Sequence, residues 1–392
     1  MTIWLRAGRP NNLPVGALAG ALIWPGRDRP GFLVSRKNTM ALELVGITKQ
    51  VGSQTHIKET SLVLQPGHFN VLLGETGAGK TSLIKLMAGL DRVASGKILM
   101  NGQDVTSQST QKRNIALVHQ FFVNYPHMTV FENIASPLKV AGLAKSEIEG
   151  RVEEAADVLQ LRPFLDRRPH ELSGGQQQRC ALARAIAKES NAVFLDEPLA
   201  NLDYKLREEL RDQLPELFAG RGAVVVYATS EPEEALLLGG KTGLMNDGRV
   251  TQFGETAAIY RNPMDLVSAQ VFSDPPINTA QIEKLGNRAF FGAAVWELSG
   301  DAVGLQDGKY TMAIRPNYVL PVNTSDAFVP LLGKVQVAEL SGSQSSAHFT
   351  LGAENWVSLS SGVHTFEIGE EHEFHMNPSK CFFFGPDGKR AV

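Results

Sequence analysis

The sequence predicts an α/β fold followed by a small all-β region, and three observations carry that prediction. From Met40 onward, short apolar runs bounded by glycines or polar turns alternate with longer helical stretches. A glycine-rich loop sits between one such run and a helix. After about residue 280 the helices give way to short alternating strands separated by Gly, Ser and Asn turns. A chain of 392 residues, 43% hydrophobic, is too long for one ordinary domain, so two are expected. With 20% charged residues and a net charge of −3, charge favours neither an acidic disordered tail nor a nucleic-acid binder. Cys180 and Cys381, far apart in sequence, make no disulfide framework, which fits a reducing compartment. No apolar run reaches the roughly 18 residues of a membrane span.

Residues 1–39 stand apart in composition. Six basic residues, Arg6, Arg9, Arg27, Arg29, Arg36 and Lys37, face the single acid Asp28, and Trp4 and Trp24 lie among prolines and glycines. The run LPVGALAGALIW imitates the apolar part of a secretory signal, but its Pro and Gly interruptions favour a disordered or upstream-translated leader. That leader is expected to be dispensable.

The elements then follow in order. NVLL reads as a buried strand that delivers the chain to GETGAGKT, Gly74 to Thr81, ahead of the helix TSLIKLMAGL. IALV is the next strand and SEIEGRVEEAADVLQL a helix. ELSGGQQQR, Glu171 to Arg179, opens the helix that continues through CALARAIAKES. AVFLD and VVVYA are apolar enough to be buried on both faces, as in a parallel sheet. Between them, YKLREELRDQLPELF repeats Leu206, Leu210, Leu214 and Leu217 at helical spacing, a core stripe that Pro215 is expected to kink or shorten. GKVQVAEL, SAHFTLG and HEFHMN alternate with period two, predicting a small barrel or sandwich in which Phe382, Phe383 and Phe384 are packing residues.

Three motifs carry chemistry. In the loop Gly74, Glu75, Thr76, Gly77, Ala78, Gly79, Lys80, Thr81, with Ser82 behind it, glycines let backbone N–H groups turn around a phosphate at a helix N-terminus. Lys80 is placed for the β- and γ-phosphates and the Thr81 hydroxyl for Mg²⁺. Glu75 is an unexpected acid there, and its side chain is expected to point away. AVFLDEP ends a strand in Asp196, suited to the Mg²⁺ shell, and Glu197, placed to polarise a water. Ser173, Gly174 and Gly175, followed by Gln176, make a second anion site at a helix N-terminus. If the two glycine loops lie at opposite ends of the domain, one γ-phosphate cannot use both from one chain. The economical answer is a dimer with each ATP sandwiched between chains.

With these motifs in order, plus Gln120 in VHQFFVNYPHMTVFENI and NLD ending in Asp203, the sequence resembles the ABC transporter ATPases from Met40 nearly to its end. The resemblance implies a P-loop NTPase ATPase domain with a helical subdomain over residues 40–278 and an OB-like (TOBE) regulatory domain over 279–392. It implies that Gln120 is a lid glutamine sensing Mg²⁺ and water, and that Asp203 belongs to a loop linking the two sites. The helical subdomain would meet two transmembrane permease subunits, with a solute-binding protein acting indirectly and the chain peripheral on the cytoplasmic face of a bacterial inner membrane. The C-terminal texture is similar to the subfamily importing oligosaccharides, polyols and glycerol phosphate. A repair or translation ATPase fits less well, because the interval from Lys80 to Leu172 holds no long coiled coil and there is one cassette. A non-catalytic module is disfavoured by intact Lys80, Asp196 and Glu197, and no basic, aromatic-studded groove supports nucleic acid.

Two residues depart from the family pattern. Val51 stands where an aromatic stacks on adenine, and valine has no π-face. Ser230, in VVVYATSEPEEAL, stands where a histidine contacts the γ-phosphate, and serine carries no positive charge. The chain's own site is thus weakened while its LSGGQ is intact, which points to a heterodimer with a second ATPase and two unequal sites.

Overall fold

The computed structural model describes residues 41–200, 202–218, 220 and 222–392. The expectations for the leader lie outside the described residues. In chain order the first ten strands are β1 (Leu42–Val51), β2 (Gln54–Leu64), β3 (Phe69–Leu73), β4 (Ser95–Met100), β5 (Gln103–Asp104), β6 (Ile115–Val118), β7 (Ala192–Asp196), β8 (Val224–Thr229), β9 (Lys241–Asn246) and β10 (Arg249–Glu255). The helices among and after them are α1 (Lys80–Ala88), α2 (Thr110–Arg113), α3 (Val130–Val140), α4 (Lys145–Val158), α5 (Gly174–Ala187), α6 (Tyr204–Phe218), α7 (Pro232–Leu238), α8 (Thr256–Arg261) and α9 (Leu266–Val271).

The central sheet runs β10-β9-β3-β8-β7-β6, with β9, β3, β8, β7 and β6 parallel and β10 antiparallel at the edge. β3, β7 and β8 are buried at every position, as their apolar sequences require of a sheet covered on both faces. An antiparallel sheet, β2-β1-β4-β5, and α1 share one core with residues such as Phe194 and Val226, while α3, α5, α6 and α7 share the other with Val71, Leu195 and Tyr227. Parallel strands place their carboxyl ends on one edge, and that edge carries the chemistry.

Helix α6 departs from expectation. It continues past Pro215 to Phe218 instead of stopping there, because Leu210, Leu214 and Phe218 are all buried against the core. Burial of such side chains is worth about 1.5–3 kcal/mol each, enough together to offset the roughly 3 kcal/mol an interior proline costs.

The remaining strands are β11 (Asn278–Leu285), β12 (Arg288–Phe291), β13 (Ala294–Glu297), β14 (Gly308–Ile314), β15 (Val319–Leu320), β16 (Val329–Ser341), β17 (Gln344–Leu351), β18 (Glu354–Ser361), β19 (Glu371–Met376) and β20 (Phe382–Phe384). They form two antiparallel five-stranded sheets, β13-β12-β11-β14-β20 and β15-β19-β16-β17-β18, around one core containing Ile282, Met312, Phe349, Trp356 and Phe374. Polar links tie the sheets together: Asn278 Nδ2 donates to the Val357 carbonyl (2.8 Å) and Trp356 Nε1 to that of Thr279 (2.9 Å). Phe382, Phe383 and Phe384 are buried, as packing residues should be. Arg315 fastens this region to α8. Its guanidinium lies 3.7 Å from the Tyr260 ring centroid and donates to the Tyr260 carbonyl at 2.6 Å.

Candidate active site

Strand β3 ends in the loop 74–79, and α1 begins at Lys80. Two glycines are dictated by close approach. A Cβ on Gly74 would sit 2.3 Å from the Met245 carbonyl oxygen, and Gly79, at φ 104°, would meet Ile57 Cδ1 at 2.9 Å. The loop is fastened from outside by Gly248 N–H donating to the Ala78 carbonyl (3.0 Å) and Gly74 N–H to that of Thr229 (3.3 Å). Glu75, Thr76 and Gly77 are exposed, and the Glu75 backbone carbonyl accepts from Ala78 N–H (3.1 Å).

Lys80 is only 4% exposed, so its charge must be paired. Its Nζ donates to the carbonyls of Gly74 (2.7 Å) and Glu75 (3.1 Å) and pairs with Glu197 Oε1 at 3.3 Å. The other carboxylate oxygen of Glu197 accepts from Gln120 Nε2 at 2.9 Å. Loop lysine, strand-end glutamate and the glutamine after β6 therefore form one continuous chain. Glu197 occupies the left-handed region, φ 48°, a conformation that costs a non-glycine residue about 1–3 kcal/mol and concentrates at functional sites. Its N–H donates to the Ala228 carbonyl (3.0 Å), which fixes the turn.

Asp196 is buried at the end of β7, and the Thr81 hydroxyl lies 2.8 and 3.1 Å from its two carboxylate oxygens. Burial raises the Asp196 carboxyl above its ordinary range. The Thr81 hydrogen bond pulls it back, the Glu197 charge raises it, and His119 and Lys80 lower it. A hydroxyl and a carboxylate converging beside a phosphate cradle are hard oxygen donors of the kind Mg²⁺ takes.

The second glycine motif, where the sequence predicts another anion site, is built differently. Ser173 caps α5: its Oγ accepts from Gln176 N–H (3.4 Å) and its own N–H donates to Gln176 Oε1 (3.0 Å), a capping box. Ser173 and Gly174 are exposed, and a Cβ on Gly174 would meet open space. One turn on, buried Gln178 donates to the Pro198 carbonyl, joining this helix to the turn after Glu197. Asn124 Nδ2 donates to the Gln177 carbonyl (2.8 Å), tying the segment after Gln120 to the same helix.

Asp203 is exposed and caps α6 by accepting from Leu206 N–H (3.0 Å). Ser230 is exposed just past β8, and Val51 is 57% exposed at the end of β1. The motifs did not point to four further residues. Arg207 of α6 pairs with Glu231 at 3.1 Å, linking the helix after Asp203 to the loop of Ser230. Buried Glu234 accepts from Thr229 Oγ1 (2.6 Å) and Tyr227 OH (3.0 Å), anchoring that loop from below. His56 Nε2 lies 2.8 Å from Ser82 Oγ. The paired residues are distant in sequence or sit in no glycine-marked motif, so only the acid-rich run SEPEEA hinted at any of them.

Comparison with known proteins agrees with this geometry. The family model described as ABC transporter matches residues 57–200. The sn-glycerol-3-phosphate import ATP-binding protein UgpC of Pectobacterium atrosepticum is 36% identical over 347 residues, 88% of this chain and 97% of its own. The protein of the same description from Shigella sonnei is 37% identical over 355 residues, 89% of this chain and 99% of its own. Among solved structures, the dimeric post-hydrolysis state of the ATP-binding cassette MJ0796 bound to ADP and Pi is 27% identical. It covers 55% of this chain and 98% of its own, with a TM-score of 0.51.

Proposed function

The chain belongs to the ABC transporter ATP-binding family as an importer's ATPase subunit, and on that premise we propose that it powers uptake of a small polyol-like solute beside a second, related ATPase. The Lys80–Glu197–Gln120 chain, with Thr81 on Asp196, is the observation that carries the catalytic part. Lys80 exchanges its ion pair with Glu197 for the γ-phosphate, which frees Oε1 of Glu197 to accept a hydrogen bond from the attacking water. Gln120, bonded to the other oxygen, holds that carboxylate in line. Electrostatic positioning supplies most of the acceleration in such transfers. Thr81, Asp196 and Gln120 would hold Mg²⁺, which when bound draws charge from the β- and γ-phosphate oxygens.

Ser173, Gly174, Gly175 and Gln176, exposed at a helix N-terminus, are offered to the nucleotide held by the other chain. Asp203, which caps α6, and the Arg207–Glu231 pair that follows it would link the two sites. Val51 and Ser230 leave this chain's own nucleotide with no stacked ring at Val51 and no imidazole at Ser230, so the chain contributes most through the site its signature completes. The partner ATPase therefore supplies the competent loop. An ATPase domain over 40–278 works with permease subunits at the cytoplasmic face of a bacterial inner membrane. A regulatory β domain over 279–392 follows it.

The substrate class rests on relatives described as sn-glycerol-3-phosphate import proteins. Radiolabelled uptake in cells lacking this chain tests it. Restored uptake of glycerol 3-phosphate, glycerol or a related polyol on complementation is expected. Restored uptake of an unrelated solute alone overturns the substrate reading.

A further inference from the structure

Strand β6 is followed by two polar residues, His119 and Gln120, next to the carboxylates of Asp196 and Glu197 at the end of β7. The parallel register pairs Ile115 with Ala192, Ala116 with Val193, Leu117 with Phe194 and Val118 with Leu195. One step further it sets His119 beside Asp196 and Gln120 beside Glu197, and the 2.9 Å bond from Gln120 to Glu197 shows that the register carries on. Alternation along the strands fixes the face. Ile115, Leu117, Ala192 and Phe194 pack with the core that holds α1, and Ala116, Val118, Val193 and Leu195 with the opposite one. His119 therefore falls on the side of Asp196 and of Thr81 in α1. Burial raises the Asp196 carboxyl, and His119 is among the nearby groups that oppose the rise.

The imidazole is held as well as placed. Phe121 N–H donates to His119 Nδ1 (3.3 Å), and the Phe121 ring stacks on the imidazole, 5.5 Å between centroids and 27° between planes. Phe122 N–H donates to the His119 carbonyl (2.9 Å), and Phe122 sits at φ 43°, a conformation bulky residues adopt only under constraint. A ring nitrogen that accepts carries no proton, so the neutral imidazole has its N–H at Nε2. His119 is thus a donor there and not a metal ligand, and its side chain makes no other hydrogen bond among the described residues. We propose that His119 is a positioning residue of the divalent-ion site, its Nε2–H donating to water in the ion's shell on the Asp196 side. This rests on the reading that Thr81, Asp196 and Gln120 hold the ion, which keeps water of its own. It also supplies an imidazole to a site whose Ser230 position has none.

Calorimetric titration of the full chain with Mn·ATP and, in excess EDTA, with ATP alone tests it, because the ratio of the two affinities reads the ion. His119→Phe and His119→Leu keep the bulk but lack the N–H. Both should weaken Mn·ATP about tenfold and leave ion-free ATP within about twofold, the scale on which outer-shell partners act. His119→Gln, whose amide nitrogen reaches about as far as Nε2, should restore most of the loss. Equal weakening in both media, or no recovery in His119→Gln, overturns the proposal. Thr81→Val separates the two readings. If it weakens Mn·ATP while the His119 variants do not, the role of His119 alone is refuted. If all of them leave Mn·ATP unchanged, the ion site itself is misassigned and the proposal falls with it.

Discussion

Lys80 is 4% exposed and bound to two carbonyls and a carboxylate, whereas Ser173 is exposed and bonds within its own helical turn. The difference follows what each region must do. Groups around the phosphate loop handle charge inside one chain, and a buried charge is tolerable only when every partner is already in place. Groups around Ser173 are suited to a ligand arriving from outside, so they need a fixed helix terminus and an open face. The cap alone contributes about 1 kcal/mol to the helix. Gln178 on Pro198 and Asn124 on Gln177 then join the two regions, one bond from each side.

The sharpest way to break this contrast is Lys80→Ala. In the assembled transporter it should abolish γ-phosphate engagement in this chain's loop and any transport that depends on it. Unweakened ATP binding at this chain's loop would contradict the assignment. Glu197→Gln comes next. It keeps the shape and the bond to Gln120 but removes the carboxylate, so turnover at this chain's site should fall about 10²–10⁴-fold while ATP binding persists. Single-turnover hydrolysis alongside equilibrium binding measures the split.

A pair of smaller changes compares the two regions directly. Ser173→Ala should cut ATPase of the full complex more deeply than Ser230→Ala, because on the proposed pairing the first would damage the site lent to the partner and the second only this chain's own. Steady-state ATPase of the two variants decides it, and an equal or larger loss from Ser230→Ala reverses the assignment. The smallest effect concerns the support under Ser230. Burial raises the Glu234 carboxyl, with Thr229's hydrogen bond opposing it and Glu231 adding to the rise. The folded state therefore holds that proton more tightly than the unfolded state. The group's favourable contribution is present below the unfolded value of 4.5 and is lost as pH rises through the window above it. Glu234→Gln removes this dependence, so wild type should lose stability relative to the variant as pH rises from about 4.5, followed by thermal melts.

Much of this molecule was legible before its coordinates. NVLL, IALV, AVFLD and VVVYA became β3, β6, β7 and β8 because glycines and polar turns punctuate runs too apolar to face water. The loop 74–81 was legible because its glycines stand where other residues are disfavoured, two by close approach, as Gly74 against Met245 illustrates, and Gly77 by its φ of 90°. Pro215 misled, since local propensity was outweighed by the burial of Leu214 and Phe218 on either side. His56, Arg207 and Gln178 stayed hidden for a different reason. Their roles come from partners Ser82, Glu231 and Pro198, brought near by strand order and helix packing rather than by spacing in the chain.

The claim that ties the account together is that this chain works opposite a different ATPase, and a count of chains tests it most directly. Native mass spectrometry of the transporter, purified through a tag on this chain at its normal expression level, should find one copy of it beside one copy of a related ATPase. A complex containing two copies of this chain and no other ATPase would contradict the claim.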